Sequence, residues 1–265
     1  GDVYKRQGLN CYSCPAASGA CPIGAFQAVV GSSKFSFSYY ITGFLILLGV
    51  LLGRFICGFL CPFGWFQELL HKIPTKKLST KRLKPLTYLK YAILVVMVFL
   101  LPAFLVNDVG MGDPFFCKYL CPQGVLEGAI PLSLANSGIR AALGSLFTWK
   151  FCILLAVIVL SVVFYRPFCK WLCPLGAFYA LFNRVSLFQM KVDRSKCVSC
   201  GKCAKACKMD VDVTKTPNHA ECIRCGMCVR ACPTSAVSFR YGFGDGKDKT
   251  KAAAMPQKNN DNKEK

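Results

Sequence analysis

Two cysteine runs near the C-terminal end determine the fold of that region: residues 197–207 read CVSCGKCAKAC, and residues 222–233 read CIRCGMCVRACP. Both follow the spacing C-x2-C-x2-C-x3-C, which is typical of iron–sulfur proteins. A cubane cluster needs four thiolates at the corners of a tetrahedron, and a tight C-x2-C-x2-C loop supplies three of them. The fourth cysteine of each run then reaches the other cluster. The two runs therefore predict two 4Fe-4S clusters.

The predicted ligands form two sets. They are Cys197, Cys200, Cys203 and Cys232 for one cluster, and Cys222, Cys225, Cys228 and Cys207 for the other. Gly201 and Gly226 stand where the loop must wrap closely around inorganic sulfide, which favours residues without a Cβ. Zinc knuckles are the alternative, but they give no reason for the additional x3-C in both runs. This module resembles bacterial two-cluster ferredoxins, although Lys208 replaces the usual proline after Cys207.

The whole chain is both apolar and strongly basic. Its 265 residues are 54% hydrophobic and include 18 cysteines, two histidines (His71 and His219) and a formal net charge of +20. Because apolarity and positive charge occur together, we expect membrane spans flanked by basic loops rather than a nucleic-acid binder. No cysteine pair precedes a histidine, and neither histidine lies in a predicted span, so the sequence predicts no haem.

Three long apolar stretches, residues 39–60, 86–106 and 146–165, predict three transmembrane helices. Each uninterrupted core is shorter than the ~20 residues that a span needs. We expect Arg54, Lys90 and Lys150 to extend to the headgroups and so lengthen the spans. Buried helices of a soluble protein are the alternative. The predicted fold is an α-helical membrane protein with three spans, one more lost upstream, and a C-terminal α+β module with two clusters.

The loops between these stretches predict their orientation. Residues 71–84 contain six Lys or Arg and no acid, and residues 107–114 contain Asp108 and Asp113 and no base. By the positive-inside rule the first loop is cytoplasmic and the second faces outside. The third span then returns the chain to the cytoplasm before the C-terminal module. The predicted location is the bacterial cytoplasmic membrane.

The chain divides by composition into five segments. Residues 1–7 resemble a translated sequencing adapter and are expected to be an artefact. Residues 8–38 form a cysteine-rich segment on the outer side, residues 39–192 the transmembrane domain, and residues 193–241 the two-cluster module. Residues 242–265 are polar and are expected to be disordered. The glycines near residue 244 lack the spacing of a phosphate loop, so no nucleotide partner is predicted.

A second cysteine pattern, C-x3-C-P-x-G, occurs three times in the apolar part of the chain. The copies cover residues 57–64, 117–124 and 169–176, and a degenerate copy covers residues 21–24. The spacing places both thiols on one face of a helical turn. The proline suits the first position of a new helix, whose free N–H groups can stabilise negative charge on thiolates or sulfides.

The predicted topology pairs these copies on the two sides of the membrane. The proposed inner cluster uses Cys57, Cys61, Cys169 and Cys173. The proposed outer cluster uses four of the five residues Cys117, Cys121, Cys11, Cys14 and Cys21. Thiol–disulfide relay proteins also place cysteine pairs at membrane helices, so dithiol chemistry is the alternative for both sets. Cys152, alone in the third stretch, is expected to be a small core residue.

The combination of apolar stretches, C-x3-C-P motifs and two ferredoxin runs resembles a known family. It is similar to the membrane ferredoxin subunit of periplasmic nitrate reductase systems, to the C-terminal part of nitrous-oxide-reductase regulatory proteins, and to the membrane ferredoxins of cytochrome-oxidase assembly. The resemblance covers about residues 39–240 and implies electron transfer between a quinone pool and a partner reductase. In the nitrate-reductase relative, Cys57, Cys61, Cys169 and Cys173 match the two known motifs.

The sequence thus predicts a membrane-bound electron-transfer component rather than a stand-alone enzyme. Its cofactors are two 4Fe-4S clusters and one or two further iron–sulfur clusters. Its partners are the lipid bilayer and a redox protein or quinone, with no nucleic acid. The alternative is a redox-sensing or metalloenzyme-assembly factor, or a thiol–disulfide relay that uses the C-x3-C pairs.

Overall fold

The computed structural model describes residues 22–31, 39–75, 77–78, 80–105, 114–135 and 144–242. Several predictions fall outside these ranges. They concern the adapter-like residues 1–7, the thiols of Cys11, Cys14 and Cys21, the acids Asp108 and Asp113, and the tail beyond residue 242.

The described chain is mostly helical. Its helices are α1 (Ile23–Gly31), α2 (Tyr39–Leu52), α3 (Phe55–Phe59), α4 (Pro62–His71), α5 (Leu83–Phe104), α6 (Ile130–Ala135), α7 (Ser145–Val163), α8 (Pro167–Trp171), α9 (Pro174–Phe182), α10 (Lys202–Ala206) and α11 (Met227–Arg230). Helix α5 is π-helical over Leu94–Leu100, and two further π-helical turns cover Phe116–Leu120 and Val125–Ala129. Two strands, β1 (Phe188–Val192) and β2 (Val237–Tyr241), follow near the C-terminal end.

Two helices, α5 with 22 residues and α7 with 19, are long and apolar enough to cross a membrane. At 1.5 Å per residue they extend roughly 33 and 28 Å, close to the ~30 Å of a bilayer's hydrocarbon core. Only 28% and 22% of the residues in their most apolar stretches are buried. Their exposed faces carry large apolar side chains such as Val95, Phe99 and Leu155. These helices correspond to the second and third predicted spans.

The first predicted span, residues 39–60, is not one continuous helix. Helix α2 ends at Leu52, and Gly53 follows with a φ of +56°, a left-handed conformation that glycine adopts without strain. A Cβ on Gly53 would also stand 2.7 Å from Nη1 of Arg224. Helix α2 therefore extends only about 21 Å. The chain resumes as the short helix α3, which carries Cys57.

The expectation that three cationic side chains extend to the headgroups was wrong. Arg54 and Lys90 are completely buried, and Lys150 is 4% exposed. Each finds an acceptor inside the protein: Arg54 and Lys90 bind the carboxylate of Glu221, and Lys150 donates to the carbonyl oxygen of Cys117. A buried cation with such a partner has no need to reach the headgroups.

The C-terminal module is built on an antiparallel pair of strands. In its register Phe188 lies opposite Tyr241 and Val192 lies opposite Val237. Strand β1 thus belongs to this module, although its residues fall within the segment 39–192 that the sequence assigned to the membrane domain. The loops of the two cysteine runs share their backbone conformation. Positive φ angles recur 25 residues apart, at Ser199 and Arg224, Gly201 and Gly226, and Asp210 and Ser235.

One apolar core packs the described helices that precede the C-terminal module against one another. It contains buried side chains of α1, α4, α5, α7 and α9, among them Phe26, Phe63, Val98, Leu154 and Tyr179. Three of the thiols from the C-x3-C-P motifs, those of Cys57, Cys117 and Cys121, also belong to this core. The motifs are thereby placed at its borders, shielded from water.

Candidate metal centres

The first group of thiols, here called the distal site, lines a cavity at the surface of the C-terminal module. Its members are Cys197, Cys200, Cys203 and Cys232. The cavity has about 310 Å³ of empty space, part of it open to solvent. Sγ of Cys232 accepts a hydrogen bond from the Ala236 N–H at 3.3 Å. Burial alone would raise the pKa of Cys232. The hydrogen bonds with Thr234 and from the Ala236 N–H outweigh burial, so the pKa is lowered. The cavity suits a group that thiolates hold from several sides.

The second group, the proximal site, comprises Cys207, Cys222, Cys225 and Cys228. Burial, together with the neighbouring charges of Cys222, Cys225 and Cys207, raises the pKa of Cys228 to about 12. Burial and Cys225 likewise raise the pKa of Cys207. Partly buried thiols whose thiolate charges would repel one another ionise together only when a cationic group binds among them.

The third group, the inner site, joins two copies of the C-x3-C-P motif and comprises Cys57, Cys61, Cys169 and Cys173. Cys61 is the N-cap of α4, with Pro62 at the first helical position, and its Sγ accepts from the N–H of Gly64 at 3.4 Å. Cys173 caps α9 in the same way and accepts from the N–H of Gly176 at 3.4 Å. The predicted helix start after each cysteine, with N–H groups directed at sulfur, is confirmed.

Two arginines connect the two halves of the inner site. Arg166 Nη1 donates to the carbonyl oxygen of Cys57 at 2.8 Å, and Arg54 Nη2 donates to that of Cys169 at 3.4 Å. Gly64 packs closely here, since a Cβ would stand 3.1 Å from the carbonyl oxygen of Cys57, tighter than most such contacts. Each motif is thus fixed by a cation from the opposite half of the chain.

The inner thiols also influence one another electrostatically. Burial and the charge of Cys169 together raise the pKa of Cys61 to about 12. The pKa of Cys173 is raised well above its ordinary value by burial and by Cys169 and Cys57. As at the proximal site, the arrangement favours thiolates only around a bound cation.

Cys117 and Cys121, here called the outer pair, are both buried. The backbone of Cys121 (φ −75°, ψ 115°) matches that of Cys61 (φ −78°, ψ 112°) and Cys173 (φ −75°, ψ 112°). The third motif therefore has the same local geometry as the two that form the inner site. Its predicted partners Cys11, Cys14 and Cys21 lie outside the described residues.

The described thiols are spaced too widely for three of them to share one metal ion. Within the ranges that the structure describes, no three His, Cys, Asp or Glu side chains stand close enough to share one ion. Zinc would need such a compact tetrahedral group. A cubane of four irons and four sulfides is wider, so the thiolates around it stand further apart. The described cysteine groups therefore offer no ready-made site for a single zinc ion.

The proximal site contacts the inner site directly. A Cβ on Gly58 would stand 2.8 Å from the carbonyl oxygen of Ile223, so the loop 222–225 lies against the backbone beside Cys57. Asn183 Nδ2, just after α9, donates to the carbonyl oxygen of Cys222 at 2.8 Å. Arg224 Nη1 donates to the carbonyl oxygen of Leu52 at 2.8 Å. The module is therefore docked on the side where α2 ends and α3 begins.

Sequence reasoning missed several residues that build these sites. Glu221 was not singled out, yet it binds both Arg54 and Lys90. Gln27 and Gln67 were also missed, although each donates a hydrogen bond to a motif cysteine. A signal for them was present, since residues 21–27 read CPIGAFQ and residues 61–67 read CPFGWFQ.

Comparisons with known proteins agree with the chemistry of these sites. A family model described as a 4Fe-4S binding domain matches residues 19–39, 36–81, 90–130 and 146–195, more than half of the chain. A second model with the same description matches residues 190–211 and 216–238. No solved structure gives a significant match.

Three relatives illustrate the similarity. The chain is 30% identical over 209 residues to the uncharacterized protein MJ0750 of Methanocaldococcus jannaschii, covering 75% of this chain and 77% of the relative. It is 25% identical over 187 residues to the ferredoxin-type protein NapH of Haemophilus influenzae, covering 67% and 55%. It is 27% identical over 168 residues to the regulatory protein NosR of Stutzerimonas stutzeri, covering 60% and 21%.

These matches confirm the resemblance to ferredoxin-type proteins and the expectation of several 4Fe-4S clusters. The chain belongs to the 4Fe-4S binding domain family, and 4Fe-4S clusters are its cofactors.

Proposed function

We propose that this protein is a membrane-bound electron carrier that relays electrons between the distal and proximal clusters of the module and clusters at the inner site and outer pair. The destination or source on the membrane side is a quinone or a partner reductase. The contact of the Ile223 carbonyl with Gly58 carries this proposal, because it places the proximal loop against the motif that holds Cys57. Electrons can then pass from the module into the helical domain without any movement of the module.

The proposed ligand sets follow the groups of thiols. They are Cys197, Cys200, Cys203 and Cys232 for the distal cluster, Cys207, Cys222, Cys225 and Cys228 for the proximal cluster, and Cys57, Cys61, Cys169 and Cys173 for the inner cluster. Cys117 and Cys121 belong to the outer cluster, together with two of Cys11, Cys14 and Cys21. Bound clusters would supply one-electron oxidation and reduction.

The chain's own residues would shield and tune these groups. The apolar core around Phe63, Phe168 and Cys57 excludes water from the inner site. Arg54 and Arg166 place two positive charges beside it. A positive charge stabilises the extra electron of a reduced cluster, so these arginines favour acceptance of electrons.

Membrane embedding by three spans is supported by the exposed apolar faces of α5 and α7, which differ from the buried helices of a soluble core. Helix α2, the first of the three spans along the chain, is the shortest of them. The basic loop after α4 contacts the C-terminal end of α7, where Thr75 Oγ1 and Lys77 Nζ donate to the Val162 carbonyl oxygen. Lys170, in α8 just beyond that end, binds Asp210 of the module. The loop and the module thus share one side, which the positive-inside rule assigns to the cytoplasm.

The first test is the iron content of anaerobically purified protein. Two clusters contain about eight irons, and each further cluster adds about four. We expect wild-type protein to exceed eight irons per chain and Cys173→Ser to lose about four. The matched control is Cys152→Ser. The expectation that Cys152 is a core residue was wrong, because it is an exposed thiol on the outward face of α7 and lies outside all the sites. Only eight irons in the wild type would contradict the membrane clusters and favour a thiol–disulfide relay.

A redox-sensing role is the second candidate, because one relative is named a regulatory protein. Sealed vesicles separate the two functions. A relay sustains electron delivery from a low-potential donor on the module side to an acceptor on the other side of the membrane. A sensor is reduced once and then stops.

A further inference from the structure

A completely buried glutamine lies in the helix that follows one cysteine of the inner site. Gln67, in α4, is six residues after Cys61 and reaches across to the other motif. Its Nε2 donates to Sγ of Cys169 at 3.4 Å, and its Oε1 accepts from the N–H of Phe168 at 3.2 Å. One side chain thus binds both a thiol of the site and the backbone that positions this thiol.

The same arrangement recurs at the outer pair. Gln27, in α1, is six residues after Cys21 and is also completely buried. Its Nε2 donates to Sγ of Cys117 at 3.5 Å, and its Oε1 accepts from the N–H of Phe116 at 3.2 Å. In both copies the backbone N–H belongs to the residue directly before the bound cysteine.

The neighbouring backbone determines which way each amide points. The N–H groups of Phe116 and Phe168 can only donate, so they require the glutamine oxygen. The NH₂ group must then face sulfur, where a thiolate accepts the hydrogen bond. A cation also binds the backbone of each of these cysteines. Lys150 donates to the carbonyl oxygen of Cys117 at 3.0 Å, and Arg54 donates to that of Cys169.

We infer that Gln27 and Gln67 are equivalent positioning residues, each of which donates a hydrogen bond to a cluster-ligating thiolate and raises the reduction potential of that cluster. This inference rests on the proposed function, since it requires clusters at the inner site and the outer pair. A hydrogen bond to sulfur stabilises the more negative, reduced cluster.

The test compares reduction potentials measured by spectroscopic redox titration of the whole protein. Gln67→Leu removes the donor, and we expect a downward shift in the midpoint potential of one membrane cluster only. Gln27→Leu should shift the other membrane cluster instead. The control is Gln189→Leu, whose amide donates to the Arg184 carbonyl oxygen far from the motif cysteines and should shift none.

A second variant separates tuning from simple packing. Gln67→Met keeps the length and the neutral charge of the side chain but lacks the NH₂ donor, so a fall in potential cannot come from an added charge. A retained cluster with a lowered potential in either Gln67 variant supports the inference. Unchanged potentials with full iron content would overturn it. Loss of the cluster in both variants would also overturn it, because Gln67 would then only hold the backbone around Cys169 in place.

The iron content of the wild type distinguishes this inference from the proposed function. A content of about eight irons, the number for two clusters, would show that the membrane clusters are absent and would contradict both proposals. A higher content with unchanged potentials in the glutamine variants would overturn only the role of Gln27 and Gln67.

Discussion

At the scale of single residues, Gly58 shows how closely the module and the inner site approach. It lies next to Cys57, and its missing side chain leaves room for the carbonyl oxygen of Ile223. That neighbour is backbone, which cannot move aside as the end of a flexible side chain can. Gly43, in α2, has the opposite surroundings, with nothing within 4 Å of an added Cβ.

We expect Gly58→Ala to push the proximal loop away from the inner site and slow electron transfer between them. The overpacking should also cost about 1–3 kcal/mol of stability. The rate at which the inner cluster is reduced after rapid reduction of the module measures the effect. Gly43→Ala is the matched control and should leave this rate unchanged. Equal rates in both variants would show that electrons do not pass at this contact.

At the scale of elements, one carboxylate connects the module to the start of α5 and the break after α2. Glu221 lies 2.8 Å from Nη1 of Arg54 and 2.5 Å from Nζ of Lys90, and both cations are completely buried. Burial alone would raise the pKa of Glu221, but the charges of Arg54 and Lys90 hold it below its ordinary value. The carboxylate therefore stays ionised in the folded protein.

We expect Glu221→Gln to weaken docking of the module, because it leaves two buried cations without a counter-charge. Removal of one partner from a buried ion pair costs about 3–5 kcal/mol. Hydrogen exchange of residues 219–225 should become faster. The matched change Glu127→Gln affects a carboxylate that binds Gln123 near the outer pair, and it should leave this exchange unaltered. Unchanged protection in Glu221→Gln would refute the docking role.

The same ion pairs predict a pH dependence with a definite sign. Because the folded pKa of Glu221 is lowered, its contribution to stability is fully present above the pKa of the unfolded chain. That contribution is lost as the pH falls through the folded pKa. The difference in exchange between wild type and Glu221→Gln should therefore shrink on acidification, a trend that the same hydrogen-exchange measurement follows.

At the scale of the whole molecule, positive charge surrounds the exposed face of the distal site. Cys200 is exposed there, and Arg194, Lys196, Lys202 and Lys205 are exposed nearby. The chain as a whole carries +20. Charges at the surface of a cleft increase the association rate of a partner of opposite sign, and salt screens the effect.

We therefore expect an acidic electron-donor protein to reduce the distal cluster more slowly as ionic strength rises. Stopped-flow measurement of cluster bleaching at several salt concentrations gives the rate. Lys202→Glu should lower the low-salt rate and flatten its salt dependence. A small uncharged mediator is the control and should show no salt dependence. A rate that salt does not change with the acidic donor would contradict electrostatic steering.

The sequence alone determined what depends on local spacing. C-x2-C-x2-C-x3-C predicts the distal and proximal groups of cysteines, because three ligands of each proposed cluster would come from one loop and the fourth from the other run. C-x3-C-P predicted the helix starts after Cys61 and Cys173, because proline and an N-cap act within one turn. Apolar length alone indicated α5 and α7.

Only the tertiary structure decided the features that depend on residues far apart in the chain. The break at Gly53, the buried positions of Arg54 and Lys90, and the docking of Glu221 come from contacts across more than 100 residues. Gln27 and Gln67 act on cysteines 90 and 102 residues away. Local periodicity carries no information on such partners. A buried cation or amide is placed by whichever acceptor the folded chain brings to it.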